Sequence, residues 1–451
     1  MTDGHFVRVI KRKEVLALAF GAMIGWSWVA LTGNWIDSAG SIGAVLAFAI
    51  GGIAVVLVGL TYAELASAMP QVGGEHVYSY RALGRTASFI CTWAILLGYV
   101  SVVAFEAVAL PTVVDYLSPG FSRGYLWTVA GWDVHITWVL LGIVAAICMT
   151  LINILGIRTA ARLQLLATLL IAAGGIALIG GSAIAGSAQN MQPLFDHGLK
   201  GFLSVLVMVP FMFVGFDVIP QSAEEIDIPF SDIGRMLMLS IGLAVSWYVL
   251  IIFAVSMGLP ADSRATSGLP TADATVAVFS ATWAGKLLVV AGIGGILTSW
   301  NAFLIGGSRA IYALAKAGQL PAALGHLHPR FNTPHRAILL IGALSVCAPL
   351  FGRPALVWLV DAGGLGIVLA YAFVAASFLV LRRREPEMPR PYSVKHANLV
   401  GWAALLLSIA IALLYLPWSP AALIWPWEWL IVLGWVLLGA LMLLLAPQKG
   451  T

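Results

Sequence analysis

Residues 21–28 read Gly21-Ala22-Met23-Ile24-Gly25-Trp26-Ser27-Trp28, and residues 211–217 read Phe211-Met212-Phe213-Val214-Gly215-Phe216-Asp217, with Pro220 following. Each stretch lies inside an apolar run long enough to be a helix. Each also carries residues that a helix interior tolerates poorly, glycine costing about 1 kcal/mol and proline about 3 relative to alanine. One such stretch alone reads as close helix packing, since small residues let helices approach. Two of them, five apolar runs apart, read as paired breaks that face each other halfway across a membrane and form a binding site. Half-helix N-termini there offer free N–H groups and positive dipole ends to an anion, and unwound carbonyls can hold a cation.

Composition sets the surroundings of these breaks. The 451 residues are 61% hydrophobic and 10% charged, whereas a soluble domain carries about 25% charged residues. So little charge cannot cover a water-facing surface of this size, but it suits a chain whose outer solvent is lipid. A crossing helix needs about 20 apolar residues. Apolar runs of that kind predict an all-α membrane protein with twelve transmembrane helices at 14–38, 42–68, 86–117, 136–155, 160–185, 202–226, 233–258, 284–316, 335–352, 355–382, 399–416 and 426–446.

Basic residues test the count. With the N-terminus inside, only Arg123, Lys200, Arg264, Lys286 and Arg353 of the 24 lysines and arginines fall outside. A wrong number of spans would scramble this positive-inside bias. It predicts cytoplasmic N- and C-termini, the internal set running from Arg8 to Lys449. Trp418, Trp425, Trp427 and Trp429 read as an interfacial belt near the outer ends of the last two spans. The basic opening through Lys13, followed by an apolar run longer than a signal-peptide core, predicts no cleavable leader. Cys91, Cys148 and Cys347 lie in apolar runs without a CxxC pair, and are expected as small buried apolar residues rather than a disulfide or metal set. The net charge of +4 does not suggest nucleic acid.

At this point the chain resembles the amino acid–polyamine–organocation (APC) superfamily of permeases. Gly21-Ala22-Met23-Ile24-Gly25 is similar to the glycine signature of its first helix, and Phe213-Val214-Gly215-Phe216-Asp217 with Ala223-Glu224-Glu225 to its sixth. Three more stretches fit: Tyr62-Ala63-Glu64-Leu65 through Tyr78-Ser79-Tyr80; Ser308-Arg309-Ala310-Ile311-Tyr312 through Pro321; and Leu381-Arg382-Arg383 through Tyr392. The resemblance implies a five-plus-five inverted-repeat transporter fold with helices 1 and 6 broken. Residues 1–13 are then a cytoplasmic tail, 14–185 the first repeat, 202–382 the second, and 399–446 two additional helices. The signature's third glycine is Ser27 here, preceded by Trp26, which puts a hydroxyl where the family presents bare backbone to a carboxylate.

What the resemblance implies for the site is a cargo held by Ile24, Gly25, Trp26 and Ser27 of the first helix and Phe211, Gly215 and Phe216 of the sixth. Val100 and Ser101 of the third helix and Asn301 of the eighth line it. Glu106 stands out from composition alone: it is an acid deep in an apolar helix without a basic neighbour in the run, and such groups cost about 2.5–3.5 kcal/mol on insertion scales. It suits a cargo ammonium, a coupling proton or a structural partner. Asp217 reads as a helix cap ahead of a direct cargo contact, Glu64 as a structural cap or pair, and Asp361 as a structural or gate contact. Gly21 and Ile24 carbonyls with the Thr298 and Ser299 hydroxyls resemble a sodium site, hard oxygens suiting a hard cation; a back-bonded hydroxyl pair is the competing reading. The expected function is secondary active transport of an amino acid or related small amine across the inner membrane. The fifth-helix stretch Thr168-Leu169-Leu170-Ile171-Ala172-Ala173 lacks the lysine that proton-coupled or exchanging members of the family place there, so the resemblance implies sodium ahead of a proton as the coupling ion, with a proton symporter or an exchanger as the alternatives. No cofactor is expected. A membrane enzyme is disfavoured: all eight histidines fall in loops or helix ends, and HExxH, GxSxG and GxxxxGK are absent.

Overall fold

A computed structural model describes residue 6 and residues 8–446, and of residues 157–163 the backbone only. Residues 1–5 and 7 of the expected N-terminal tail, His5 among them, and Lys449 therefore lie outside the described residues, as do the side chains of Arg158 and Arg162. Among the described residues, eleven helices are long and apolar enough to cross a membrane, the first being Arg12–Ala30 and the last Trp427–Leu444. A shorter apolar helix, His335–Phe351, lies between Thr282–Lys316 and Ala355–Arg384. The spans turn bare aliphatic side chains outward, Ile184, Leu437 and Leu444 among them, as lipid requires and water does not.

Burial sorts the helices into a core and a rim. The eighth span, Thr282–Lys316, is 83% buried over its apolar window and the first 78%, whereas the last, Trp427–Leu444, is 11%. The first span packs against Gln164–Ala185, Phe230–Gly258 and the eighth span, so its interruption is walled by protein on several sides. Arg85–Leu117 packs along Ala355–Arg384 and the eighth span. Such enclosure is what allows non-helical backbone at membrane depth.

Two regions differ from the sequence expectation. The connection after Arg85–Leu117 forms a hairpin, Tyr125–Val129 against Trp132–His135, with Ala130 and Gly131 both at positive φ in the turn, as a two-residue hairpin requires. The sixth span ends as an α-helix at Gln221 rather than at 226, and one 3-10 turn, Ala223–Glu225, follows. Trp418 and Trp425 are exposed, 72% and 70%, where the aromatic belt was expected. Cys91 is buried, and Cys148 and Cys347 are exposed with their sulfurs unpaired.

Candidate functional site

The first span is helical over Arg12–Ile24, and helical geometry resumes at Ser27. Between them Gly25 turns the chain at φ 18°, ψ −144°. The turn is pressed into the eighth span, which is hollowed to receive it. A Cβ on Gly295 would lie 2.1 Å from the Gly25 carbonyl oxygen, and one on Gly292 would lie 2.2 Å from the Trp26 ring. Backbone and indole therefore occupy the space that two side chains would need. Gly295→Ala should destabilise the protein by about 1–3 kcal/mol, the cost of overpacking a filled interior. Thermal unfolding checks it against Gly434→Ala, where an added Cβ meets nothing within 4 Å.

The sixth span is helical over Gly198–Phe213 and again over Val218–Gln221. Val214 is extended and Gly215 sits at φ 133°, a conformation that a residue with a Cβ rarely adopts. Contact adds a second reason for glycine. A Cβ there would meet the Ala22 Cβ at 2.8 Å and the Met23 nitrogen at 3.0 Å. The sixth-span turn thus packs on the last helical turn of the first span, just before its own interruption. Asp217 Oδ1 accepts the Gly215 N–H at 2.7 Å, so this acid ties the turn backward and does not cap the helix that follows.

Glu106 faces the first segment from the third span. Its Oε1 accepts from the Ser299 hydroxyl of the eighth span, and the Trp26 backbone N–H faces the carboxylate without closing a hydrogen bond to Oε2. A Cβ on Gly25 would sit 3.1 Å from Ser299 Oγ and 3.4 Å from Glu106 Oε1. Glu106 Oε2 is buried without a hydrogen-bond partner. An acid, a hydroxyl and unwound backbone therefore converge on one point.

Neighbouring spans wire the segment in place. The Tyr248 hydroxyl donates to the Met23 carbonyl at 2.7 Å and lies 2.9 Å from Ser27 Oγ. With the phenol proton engaged on Met23, Ser27 is the donor in the second bond. Tyr248 thus bridges the interruption. The Thr298 hydroxyl donates to the Gly21 carbonyl at 2.9 Å. From the fifth span, Gln164 Nε2 donates to the Ala17 carbonyl at 3.2 Å, and Thr168 Oγ1 lies 3.3 Å from the same oxygen while bonding back to the Gln164 carbonyl at 2.8 Å. Asn301 Nδ2 donates to Gln164 Oε1 at 3.0 Å. Of the groups expected around a sodium ion, Thr298 reaches Gly21 and Ser299 lies beside Gly25, and both hydroxyls are hydrogen-bonded to protein oxygens.

Of the other expected site residues, Ser101 and Phe211 meet at Gly363, whose added Cβ would lie 2.8 Å from Ser101 Cβ and 2.9 Å from the Phe211 ring. Val100 is buried beside Ser101 in the third span, and Phe105 is 6.1 Å from Phe211 between ring centroids. Phe216 is not with them. It packs on Tyr62 and Tyr371, at 5.2 and 5.6 Å, towards the face that carries the N-terminus. Glu64 pairs with Arg382 and with Arg390, the latter at 3.0 Å. Asp361 lies against Glu428. Tyr248, Gln164 and Thr168 were missed by the sequence reading, which singled out glycines and acids; their roles depend on which helix faces which.

On the N-terminal face the Glu225 carboxylate takes two hydrogen bonds from the Arg309 guanidinium, 2.9 and 3.0 Å, with both side chains buried. The Glu225 carbonyl accepts the Val9 and Ile10 N–H groups. The chain entry, the end of the sixth span and the eighth span are thereby clasped together beneath the two segments.

With this geometry in view, comparison with known proteins is specific. The family description "Amino acid permease" matches residues 10–444. A branched-chain amino acid permease of Bacillus subtilis is 26% identical over 89% of this chain and 86% of its own length. A methylthioribose transporter of the same organism is 25% identical, covering 98% and 94%. An aspartate–proton symporter, also from Bacillus subtilis, is 25% identical, covering 88% and 78%.

Proposed function

Because the chain belongs to the amino acid permease family, we propose that it is a secondary active transporter that moves a small amine or amino acid by alternating access, with its ammonium held by Glu106. The reading takes the short helix His335–Phe351 as a twelfth crossing. It places five-plus-five inverted repeats over 14–185 and 202–382, with both termini cytoplasmic in the inner membrane. The chain is a multi-pass membrane transporter and not an enzyme.

One observation carries the choice of cargo group: Glu106 Oε2, buried and without a partner, beside the non-helical stretch of the first span. A buried anion is costly unless paired, and a cargo ammonium supplies the pair. An α-carboxylate would compete with Glu106 for the N–H of Trp26. The account therefore favours amines, or amino acids that enter with a proton on Glu106. Ser299 is suited to either state. Its hydroxyl reaches both Glu106 and, at 2.8 Å, the Gly295 carbonyl, so its one proton can turn between them. A thermal-shift screen of small amines and amino acids tests the reading. Amines should raise the unfolding temperature in wild type and do so less in Glu106→Gln; stabilisation by carboxylates lacking an amine would contradict it.

A proton is the coupling ion in this reading. The hydrogen bonds around Gly21 support it: the Thr298 hydroxyl lies 2.9 Å from both the Gly21 and the Gly295 carbonyls, and the nearby Ala17 carbonyl already receives Gln164. Uptake into proteoliposomes of the best compound from that screen should proceed at the same rate when choline replaces sodium. A several-fold fall would return Gly21, Ile24, Thr298 and Ser299 to a sodium site.

A further inference from the structure

A second buried acidic site lies on the N-terminal side of the sixth-span turn. Glu75 opens the short helix Glu75–Leu83, between the second and third spans. Gly74, at φ 40°, packs this helix entry onto the backbone of Pro220 and Gln221. Gln221 Nε2 donates to Glu75 Oε2. Asp217 lies four residues before Gln221, and the two carboxylates act on each other electrostatically.

Both acids are fully enclosed, as are Tyr62 of the second span and Tyr99 of the third. The Tyr62 hydroxyl faces Glu75 and the Tyr99 hydroxyl faces Asp217, yet neither closes a hydrogen bond. Glu75 Oε1, Asp217 Oδ2, Gln221 Oε1 and the hydroxyls of Tyr78 and Tyr371 are unbonded as well. Cys91 of the third span is a further titratable neighbour of Glu75, with Tyr78, Tyr99 and Tyr371. The groups acting most strongly on the two acids are phenols, an amide, backbone and, for Glu75, Asp217, with no basic side chain among them. Two carboxylates in one low-dielectric space do not both ionise readily; such pairs share a proton.

We infer that Glu75 and Asp217 hold one exchangeable proton between them, taken from the N-terminal face. Binding is simple protonation: a hydronium O–H bond breaks to leave water, one carboxylate oxygen forms an O–H bond with that proton, and the pair's negative charge falls by one. His76, the next residue, provides the approach. Its Nδ1 is 2.7 Å from Ser88 Oγ, and it lines a cavity of about 470 Å³ with Tyr80, Arg81, Glu224 and Lys316. Burial lowers its imidazole to about 4, so at neutral pH it stands uncharged at this entrance. Burial raises the Glu75 carboxyl well above the usual carboxylate range. Because Asp217 also holds the Gly215 N–H, a proton here acts directly on the sixth-span turn. The inference deepens the transporter reading by naming a coupling site, but its chemistry needs no cargo.

Infrared spectroscopy of the purified full-length protein in lipid nanodiscs, without cargo, is the test. Wild type minus the Glu75→Gln, Asp217→Asn double variant should show the C=O stretch of a neutral carboxyl, downshifted in D2O. In Asp217→Asn alone the remaining band should titrate away at lower pH, since a like charge has been removed. Tyr99→Phe, which keeps both acids, should move the band's frequency or its titration and guards against misfolded acid variants. Identical neutral-carboxyl spectra in wild type and variants would overturn the inference. A band that disappears when sodium replaces choline would overturn it in favour of a metal cation. Neither result depends on whether a cargo has been found, so failure of the transport reading is read separately.

Discussion

Glu106→Gln is expected to weaken binding of a cationic cargo by about 10- to 150-fold, the range for losing a hydrogen bond to a charged group, 1.5–3 kcal/mol. Glutamine keeps the shape and can still accept from Ser299, so the first-span segment stays seated against Gly292 and Gly295. What is lost is the negative charge behind Oε2. Affinity should fall for every compound whose ammonium sits there and change little for neutral analogues. Glu106→Asp, which keeps the charge but withdraws it by one methylene, should fall between the two. Titration of binding by intrinsic tryptophan fluorescence provides the measurement, Trp26 lying in the segment itself. Equal affinity in wild type and Glu106→Gln would reduce Glu106 to a structural partner of Ser299.

Arg309→Met carries the largest expected effect on stability. Arg309 and Glu225 are 1% and 3% exposed at their side chains. Removing one partner of such a pair strands a buried charge, which costs about 3–5 kcal/mol. The loss spreads, because the Glu225 backbone also receives Val9 and Ile10. Arg309→Met should thus loosen the chain entry as well as the end of the sixth span. The double variant Arg309→Met, Glu225→Leu should recover much of the loss, since replacing a whole buried pair by apolar groups is often near neutral. Thermal unfolding of the two singles and the double gives the coupling. Additive losses would mean that the pair is not the clasp described.

The crossing helices were legible in the sequence because lipid makes each one a long apolar run, and the interruptions because glycine and proline are conspicuous inside such runs. Glu106 was legible for the same reason: a lone acid in Ser101–Val108 has no local explanation. Tyr248 was not, since a tyrosine in an apolar helix is unremarkable until its hydroxyl is seen on Met23. Gln164 and Thr168 escaped similarly, their importance lying in the 3.2–3.3 Å approach to Ala17 of another helix. Glu75 was hidden inside a stretch valued for its glycines and tyrosines, and only the packing of Gly74 on Pro220 and Gln221 shows it to be enclosed. Phe216 illustrates the opposite error. Position next to the interruption suggested a cargo contact, but the positive φ of Gly215 turns the chain so that the ring joins Tyr62 and Tyr371 instead.

The central claim is that cargo is gripped between the non-helical segments at Gly25–Trp26 and Val214–Asp217, with its ammonium on Glu106. A cryo-electron microscopy map of the protein with the strongest stabilising amine bound tests it most directly. The account predicts density for the compound between these segments, its nitrogen within hydrogen-bond reach of Glu106 Oε2. Density at another place, with Glu106 still bonded only to Ser299, would contradict it.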